Sequence, residues 1–164
     1  MGIIGIVLSL FGFLGRLFGS SDDGTGVLEV NHDLTLSEAL ESAHLGLVDE
    51  IDWGAYYRTE KKGVVNLKYK MFRFKRDMSY EDVVKAMNKK GFRPADFGEL
   101  LALARKNSEE RWACSILALG SILWSECGNP LAPFLAFSGS QRLLSVNFSG
   151  LWHTGNQFLA VREL

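Results

Sequence analysis

An α+β fold is predicted from three patterns in this 164-residue sequence. Helix-capping signals occur at Thr35, Ser79 and Asp96. Residues 64–75 alternate apolar and polar side chains, which is typical of a β-strand. From Ala113 to Leu164, short apolar runs are interrupted by Gly, Ser, Asn and Pro, as in strands joined by turns. The order of helix, strand, two helices and then strands indicates the α+β class.

The first predicted helix begins at Thr35-Leu-Ser-Glu38, because this sequence is a capping box. His44 lies near the end of the helix, where we interpret it as a partner of the helix dipole rather than as a ligand. The helix is expected to run for about ten residues. Its buried side chains are predicted to be Leu36, Ala39, Leu40 and Ala43.

Two further helices are predicted around a short extended segment. Ser79-Tyr-Glu-Asp82 opens the second helix, and Lys89-Lys90-Gly91 ends it with cations at the negative end of the dipole and a glycine. Phe92-Arg93-Pro94 is extended because proline restricts the residue before it. Asp96 then caps the third helix, with Glu99 as its third residue.

The strand at residues 64–75 changes phase within its length. Val65, Leu67, Tyr69 and Met71 form one apolar face, after which Phe72 and Phe74 continue on the other parity. A change of this kind in an otherwise intact strand predicts a bulge or bend near Met71.

Composition and charge exclude some classes of function. The formal net charge is −1, whereas a nucleic-acid binder normally has a clustered basic excess. The basic residues from Lys61 to Arg76 alternate with apolar ones, so we interpret them as the solvated face of a strand. The two cysteines, Cys114 and Cys127, do not have zinc-site spacing, and they are either a disulfide of an exported chain or two buried free thiols.

No catalytic or metal site is predicted. The histidines His32, His44 and His153 have no recognisable partners, and no G-x-S-x-G elbow or phosphate-binding glycine loop is present. Asn129-Pro130 is interpreted as a turn, and no calcium site is expected. We therefore predict a protein that is not an enzyme and that uses no cofactor.

The N-terminal segment, residues 1–20, is apolar and has no charged side chain before Arg16. A secretory signal or a spanning helix fits poorly, because the segment lacks a basic start and a cleavage site and is interrupted by glycines. It fits better as a membrane anchor through residues 1–18, or as a helix that packs on another copy of the chain. Myristoylation at Gly2 is weaker because Ile6 stands at the acceptor position. The protein is accordingly expected to be membrane-associated or cytoplasmic.

Residues 21–27 are predicted to be a linker, since Gly and Ser cost too much entropy to order without burial. The folded domain is then expected to span residues 28–164. Within it, polar side chains without charge are interspersed with apolar ones between Ser138 and Gln157. This combination suits a binding face more than a catalytic one.

Three stretches carry a resemblance to a known family. Residues 91–103, GFRPADFGELLAL, resemble a helix of bacterial C-type-lectin-like domains, and residues 116–124 and 158–162 resemble core strands of the same domains. From about Ile51 onward, the chain is similar to proteins of bacterial candidate phyla whose C-terminus looks like the variable region of a diversity-generating retroelement target. The resemblance implies a C-type-lectin-like α+β domain with two or three helices and a strand-rich C-terminal half.

The resemblance also implies two sets of residues in the C-terminal part. A retroelement would diversify exposed side chains that bind an unidentified protein or glycan, while a constant scaffold holds them in place. The implied display set is Ser138, Gln141, Ser145, Asn147, Ser149, His153, Thr154, Asn156 and Gln157. The implied scaffold is Trp124, Phe134, Leu144, Val146, Phe148, Trp152, Phe158, Ala160 and Arg162.

Two functions follow as hypotheses. The first is a ligand-binding display protein without catalysis and without nucleic-acid partners. The second is a structural or self-assembling, membrane-associated protein, in which the N-terminal segment drives attachment or homo-oligomerisation and the C-terminal domain is constant.

Overall fold

The computed structural model describes residues 24–47, 51–57, 60–108 and 114–164. The predicted N-terminal segment and residues 21–23 of the predicted linker lie outside these ranges. The α+β class is confirmed, with three α-helices and nine strands in the described residues. The elements are β1 (Thr25–Asn31), α1 (Leu36–Ala43), β2 (Gly46–Leu47), a 3-10 turn (Trp53–Ala55), β3 (Val64–Phe72), α2 (Tyr80–Lys89), β4 (Arg93–Pro94), α3 (Phe97–Lys106), β5 (Ile116–Leu117), β6 (Leu123–Trp124), β7 (Pro130–Ser138), β8 (Gln141–Phe148) and β9 (Gln157–Glu163).

The three helices begin where the capping signals predicted. In α1 the Thr35 hydroxyl accepts from the Glu38 N–H at 3.3 Å, and the Glu38 carboxylate accepts from the Thr35 N–H at 2.8 Å. Ser79 caps α2, and Asp96 caps α3. α1 has eight residues and ends at His44, which adopts a left-handed conformation with φ 50°. These starts were predictable because a cap depends only on neighbours along the chain.

The strands form one mixed sheet in the order β1-β3-β9-β5-β7-β8-β2. β4 also pairs with β9, and β6 also pairs with β7. β9 is antiparallel to β3 and β4 and parallel to β5. The strand nearest the end of the chain thus occupies the interior of the sheet.

Two apolar cores lie on opposite faces of the sheet. On the first face, α1 and α3 pack against Leu159 and Val161 of β9. On the second face, α2 and Trp152 pack in the core that contains Phe158 and Ala160 of the same strand. Because neighbouring residues of a strand point to opposite faces, β9 is buried on both sides and joins the two cores.

The predicted bulge near Met71 is wrong. The register between β3 and β9 is unbroken from Leu67, opposite Glu163, to Phe72, opposite Phe158. The apolar phase changes because Leu67 faces the first core whereas Phe72 faces the second. A strand that is covered on both faces can bury both its odd-numbered and its even-numbered side chains without a bulge.

The predicted linker is also too long, because β1 begins at Thr25. Gly26 pairs with Tyr69 of β3, and a Cβ added at Gly26 would lie 2.8 Å from the Tyr69 ring. The glycine therefore permits close approach of an aromatic ring and does not mark a flexible segment.

Candidate functional site

The β7–β8 hairpin carries the first part of the predicted display set. Ser138 lies opposite Gln141, and Ser145 lies opposite Phe134. Directly opposite residues of antiparallel strands place their side chains on the same face, so Ser145 lies on the second face with Phe134. Leu144, which directly precedes Ser145, is fully buried in the first core. Leu144 therefore fixes β8 against the first core, while the alternate residue Ser145 lies on the second face.

Asn147 extends this row. It lies opposite Ala132 of β7, and its side chain is half-buried, like that of Ser145. Ser138 and Gln141, at the end of the hairpin, are exposed. Exposure of this set therefore increases toward the β7–β8 turn.

The segment between β8 and β9, residues 149–156, carries the second part of the display set. Its anchor is Trp152, which is 1% exposed and exchanges two backbone hydrogen bonds with Met78, of 2.9 and 3.0 Å. The Trp152 ring packs against Phe158 and Tyr80, with ring centroids 5.8 and 6.3 Å apart. One buried indole thus fixes the middle of an otherwise polar loop on the second face.

The display residues of this loop lie on both sides of the anchor. His153 and Thr154 are exposed, and His153 Nδ1 lies 3.4 Å from Asp77 Oδ2. Ser149 and Asn156 are half-buried, and the Ser149 hydroxyl bonds to the backbone of Leu151. Exposed hydroxyl and imidazole groups next to a fixed anchor can hydrogen-bond a partner without reordering the loop.

Gln157 must be removed from the displayed surface. It is the first residue of β9 and is only 9% exposed. With its amide oxygen turned toward Arg73, it accepts from the Arg73 guanidinium. A buried amide needs such a donor, so Gln157 has a structural explanation that its polarity alone did not reveal.

Several residues of the predicted scaffold are buried or partly buried. Trp152, Phe158, Leu144 and Ala160 are buried, and Phe134 packs partly buried against the second core. Val146 packs partly buried against the first core.

Trp124 and Phe148 were expected in the core and are not there. Trp124 is 55% exposed and Phe148 is 68% exposed. Trp124 lies in the two-residue β6, where it touches Tyr80 edge to face at 5.6 Å. Phe148 is the last residue of β8, and Leu151, three residues further, is exposed as well. The sequence signal for both is their position directly before turn residues, at Ser125 and Ser149.

Arg162 is also exposed, with its guanidinium 4.9 Å from the centre of the Phe92 ring. This geometry is a cation–π contact. Arg162 therefore supports the fold by covering an aromatic side chain and not by burial.

The turn predicted at Asn129-Pro130 lies earlier than expected, because residues 125–128 form it, with the Gly128 N–H donating to the Ser125 carbonyl at 2.9 Å, and Pro130 already opens β7. The Asn129 carbonyl accepts from the Ser125 N–H at 2.9 Å, and Gly128 between them has φ 78°. In the described ranges, no group of three or more His, Cys, Asp or Glu side chains could hold a metal ion. Cys114 is half-buried, Cys127 is exposed, and both are free thiols.

The GFRPADFGELL sequence builds an ion pair between the half-buried Arg93 and the fully buried Glu99. Arg93 Nη2 donates to Glu99 Oε1 at 2.7 Å and Nη1 donates to Oε2 at 2.9 Å. Glu99 also accepts from the Asp96 N–H at 2.8 Å and lies 3.5 Å from Lys61 Nζ. The hydrogen bond to Glu99 raises the pKa of Arg93 above its usual value. Because its oxygens are occupied by these donors, Glu99 supports structure and is not poised as a general base.

Two concave regions accompany these elements. A crevice between β1, α1 and α3 contains Tyr57 and Asp96 but has only about 20 Å³ of accessible space, enough for one water. A shallow cleft of about 470 Å³ borders the hairpin end, where Gln141 and Arg142 face His44 and Gly46. The larger concavity therefore adjoins the display set and contains no paired catalytic groups among the residues that line it.

The chain matches no protein-family model, no curated protein and no solved structure. In the part of the chain that the structure describes, none of the helices is both long and apolar enough to cross a bilayer.

Proposed function

We propose that the protein is a ligand-binding display protein with a C-type-lectin-like domain, and that a retroelement diversifies part of its C-terminal surface. The diversified positions would be Ser138, Gln141, Ser145, Asn147, Ser149, His153, Thr154 and Asn156, without Gln157. The bound partner would be a protein or a glycan, and the domain would perform no catalysis.

The observation that carries this proposal is the separation of polar and buried residues in the hairpin and loop. Leu144 and Trp152 are fully buried and hold the backbone, while Ser145 and His153, each one residue away, face outward or toward the second face. Side chains at such positions can change without altering the packing that fixes the backbone. Recognition can then change while the fold is retained.

One exposed aromatic side chain near this set, Trp124, strengthens the proposal. Trp124 is exposed and is supported by Tyr80, and Gly150 lies next to Asn129 of the adjoining turn. Aromatic residues that are held in place provide much of the binding free energy at protein interfaces. A constant aromatic group next to variable polar groups would supply affinity while the variable groups supply specificity.

The binding part of the proposal can be tested with two libraries of the full chain displayed on yeast. The first randomises Ser138, Ser145, Asn147, His153 and Thr154. The control library randomises an equal number of polar positions outside the set, Glu60, Lys62, Asn88, Lys106 and Ser108. We expect both libraries to express folded protein, and only the first to yield binders against a panel of unrelated proteins and glycans. Equal yields of binders, or unfolding of the first library alone, would contradict the proposal.

The diversification part has a separate test in the encoding genome. We expect a near-copy of the segment that encodes residues 138–162 beside a reverse-transcriptase gene, with mismatches confined to adenines. A complete genome without this repeat would remove the retroelement from the proposal and leave ligand binding to be judged by the libraries.

A further inference from the structure

Basic charge is concentrated in one part of the chain. Residues 61–93 contain eleven Lys and Arg against three Asp and Glu, which is a formal charge of +8 in a chain whose net charge is −1. This segment comprises β3, α2 and β4. Concentration of one sign creates a local field that net charge conceals.

The register places several of these cations on the second face. Lys68 of β3 lies directly opposite Arg162 of β9, and Lys70 follows two residues along the same strand. Lys89 and Lys90, at the end of α2, immediately precede Gly91 and Phe92, and the Arg162 guanidinium covers Phe92. We call these five residues the basic face: Lys68, Lys70, Lys89, Lys90 and Arg162.

Arg162 covers the Phe92 ring, but among the described residues no carboxylate balances its charge or that of Lys68. The two are cross-strand neighbours of the same charge. Like charges at directly opposite positions destabilise a sheet. On this face, β1, β3 and β9 contribute only one carboxylate among their described residues, Glu29. An external anion would relieve the repulsion.

Exposed apolar side chains are interspersed among the cations. Val27 of β1 lies directly opposite Lys68, so that Val27, Lys68 and Arg162 form one row across three strands. Val64 and Leu164, at the same end of the sheet, are exposed as well. Cations mixed with exposed apolar side chains suit the headgroup region of a bilayer, whereas a phosphate backbone in water gains little from valine and leucine.

The chain enters the domain at this face. The Met71 N–H donates to the Gly24 carbonyl, and Thr25 lies directly opposite Lys70. Residues 1–18, which precede this point, are apolar and have no charged side chain before Arg16. A short apolar segment gives weak membrane binding alone, and a neighbouring basic cluster is a second signal that makes attachment stable.

We propose that the basic face binds the surface of an anionic lipid membrane. The phosphate and carboxylate groups of lipid headgroups contact Lys68, Arg162 and the end of α2, and Val27 enters the headgroup region. β8 lies four strands from β3, about 19 Å away. The twist of the sheet turns β8 by about 80 to 100° relative to β3, so the hairpin remains accessible while the basic face is on the membrane.

The test uses the full chain and sedimentation with vesicles. Vesicles of phosphatidylcholine alone are compared with vesicles that contain 30% phosphatidylglycerol. This fraction is chosen to give a surface potential of about −30 to −50 mV, as on anionic biological membranes. The test variant is Lys68→Gln with Arg162→Gln. The matched control is Lys62→Gln with Lys106→Gln, which removes the same charge from exposed positions outside the basic face. Thermal melting checks that both variants remain folded.

We expect wild type and control to bind anionic vesicles at least tenfold more tightly than neutral ones, with binding weakened by salt. The test variant should lose about 30-fold of its affinity for anionic vesicles, which corresponds to about 1 kcal/mol per cation. Equal binding of wild type to both vesicle types would overturn the proposal. So would equal loss in test and control variants, or binding to a short RNA or DNA duplex with greater affinity than to the vesicles.

Discussion

Arg93 and Glu99 form a two-point ion pair in which both carboxylate oxygens accept from one guanidinium, at 2.7 and 2.9 Å. Arg93 belongs to β4, which pairs with β9, and Glu99 belongs to the first turn of α3. The pair therefore ties β4, and through it the interior strand β9, to the helix that covers the first face. Glu99 is fully buried, and Arg93 is the nearer of the two cations that compensate its charge, the other being Lys61 at 3.5 Å.

Replacing Arg93 with Met should destabilise the protein by about 3 to 5 kcal/mol, because it leaves a buried carboxylate without its main partner. The measurement is the free energy of unfolding from urea denaturation. The control is Arg105→Met, which removes an arginine whose guanidinium, among the described residues, donates to the Glu29 carbonyl at 3.3 Å. A difference of less than about 1 kcal/mol between the variants would show that the ion pair is not important for stability.

Gly120→Ala should destabilise the protein by about 1 to 3 kcal/mol through overpacking. A Cβ at this position would lie 2.6 Å from the Ala95 carbonyl oxygen, and the Gly120 N–H already donates to that oxygen at 2.8 Å. The control is Gly155→Ala, where no atom lies within 4 Å of the added Cβ. Melting temperatures of the two variants provide the comparison, and equal values would contradict the close approach at Ala95.

The two tryptophans of the second face should respond differently to truncation. Trp152→Ala should cost about 3 to 5 kcal/mol, because the indole is buried and anchors the loop. Trp124→Ala should cost about 1 kcal/mol, the contribution of its edge contact with Tyr80. Urea denaturation followed by far-UV circular dichroism measures both. Similar losses would mean that Trp124 is packed in the core.

The capping box of α1 predicts a dependence on pH. Hydrogen bonds from the Thr35 N–H and then the Thr35 hydroxyl hold the pKa of Glu38 below its usual value. A lowered pKa in the folded state stabilises the fold above the unfolded pKa, about 4.3. That contribution is lost as the pH falls through the folded pKa.

Thr35→Ala removes the hydroxyl donor, so the pKa of Glu38 should rise and the dependence of stability on pH below about 4.3 should become shallower. NMR titration of the Glu38 side-chain carboxyl carbon measures this pKa. Ser37→Ala, at an exposed position of the same helix, should leave it unchanged. A Glu38 pKa that is the same in both variants would argue against the hydroxyl hydrogen bond.

The features that the sequence predicted correctly are local ones. The helix starts at Thr35, Ser79 and Asp96 depend on residues three positions apart. Prediction failed where contacts between distant residues decide the outcome. Gly26 was assigned to the linker because the residue that requires a glycine there, Tyr69, lies 43 positions away in the sequence.

The candidate site shows the same division. Alternation placed Leu144 and Val146 on one parity of β8 and Ser145 and Asn147 on the other, as the structure has them. Burial of Trp152 was not predictable from its neighbours in the sequence, because the contacts that bury it come from the distant residues Met78 and Tyr80. The donor that explains Gln157 is Arg73, which no local pattern connects to it.

The central position of β9 has a consequence for synthesis of the protein. β3 finds its interior neighbour only when residues 157–163 have left the ribosome, about ninety positions after β3 itself. Until then, α2 and α3 have no completed sheet to pack against. The apolar side chains of both cores are therefore exposed in the nascent chain, where chaperones can bind them. Nascent chains arrested before Phe158 should therefore be protease-sensitive throughout, and protection should appear in one step when β9 inserts.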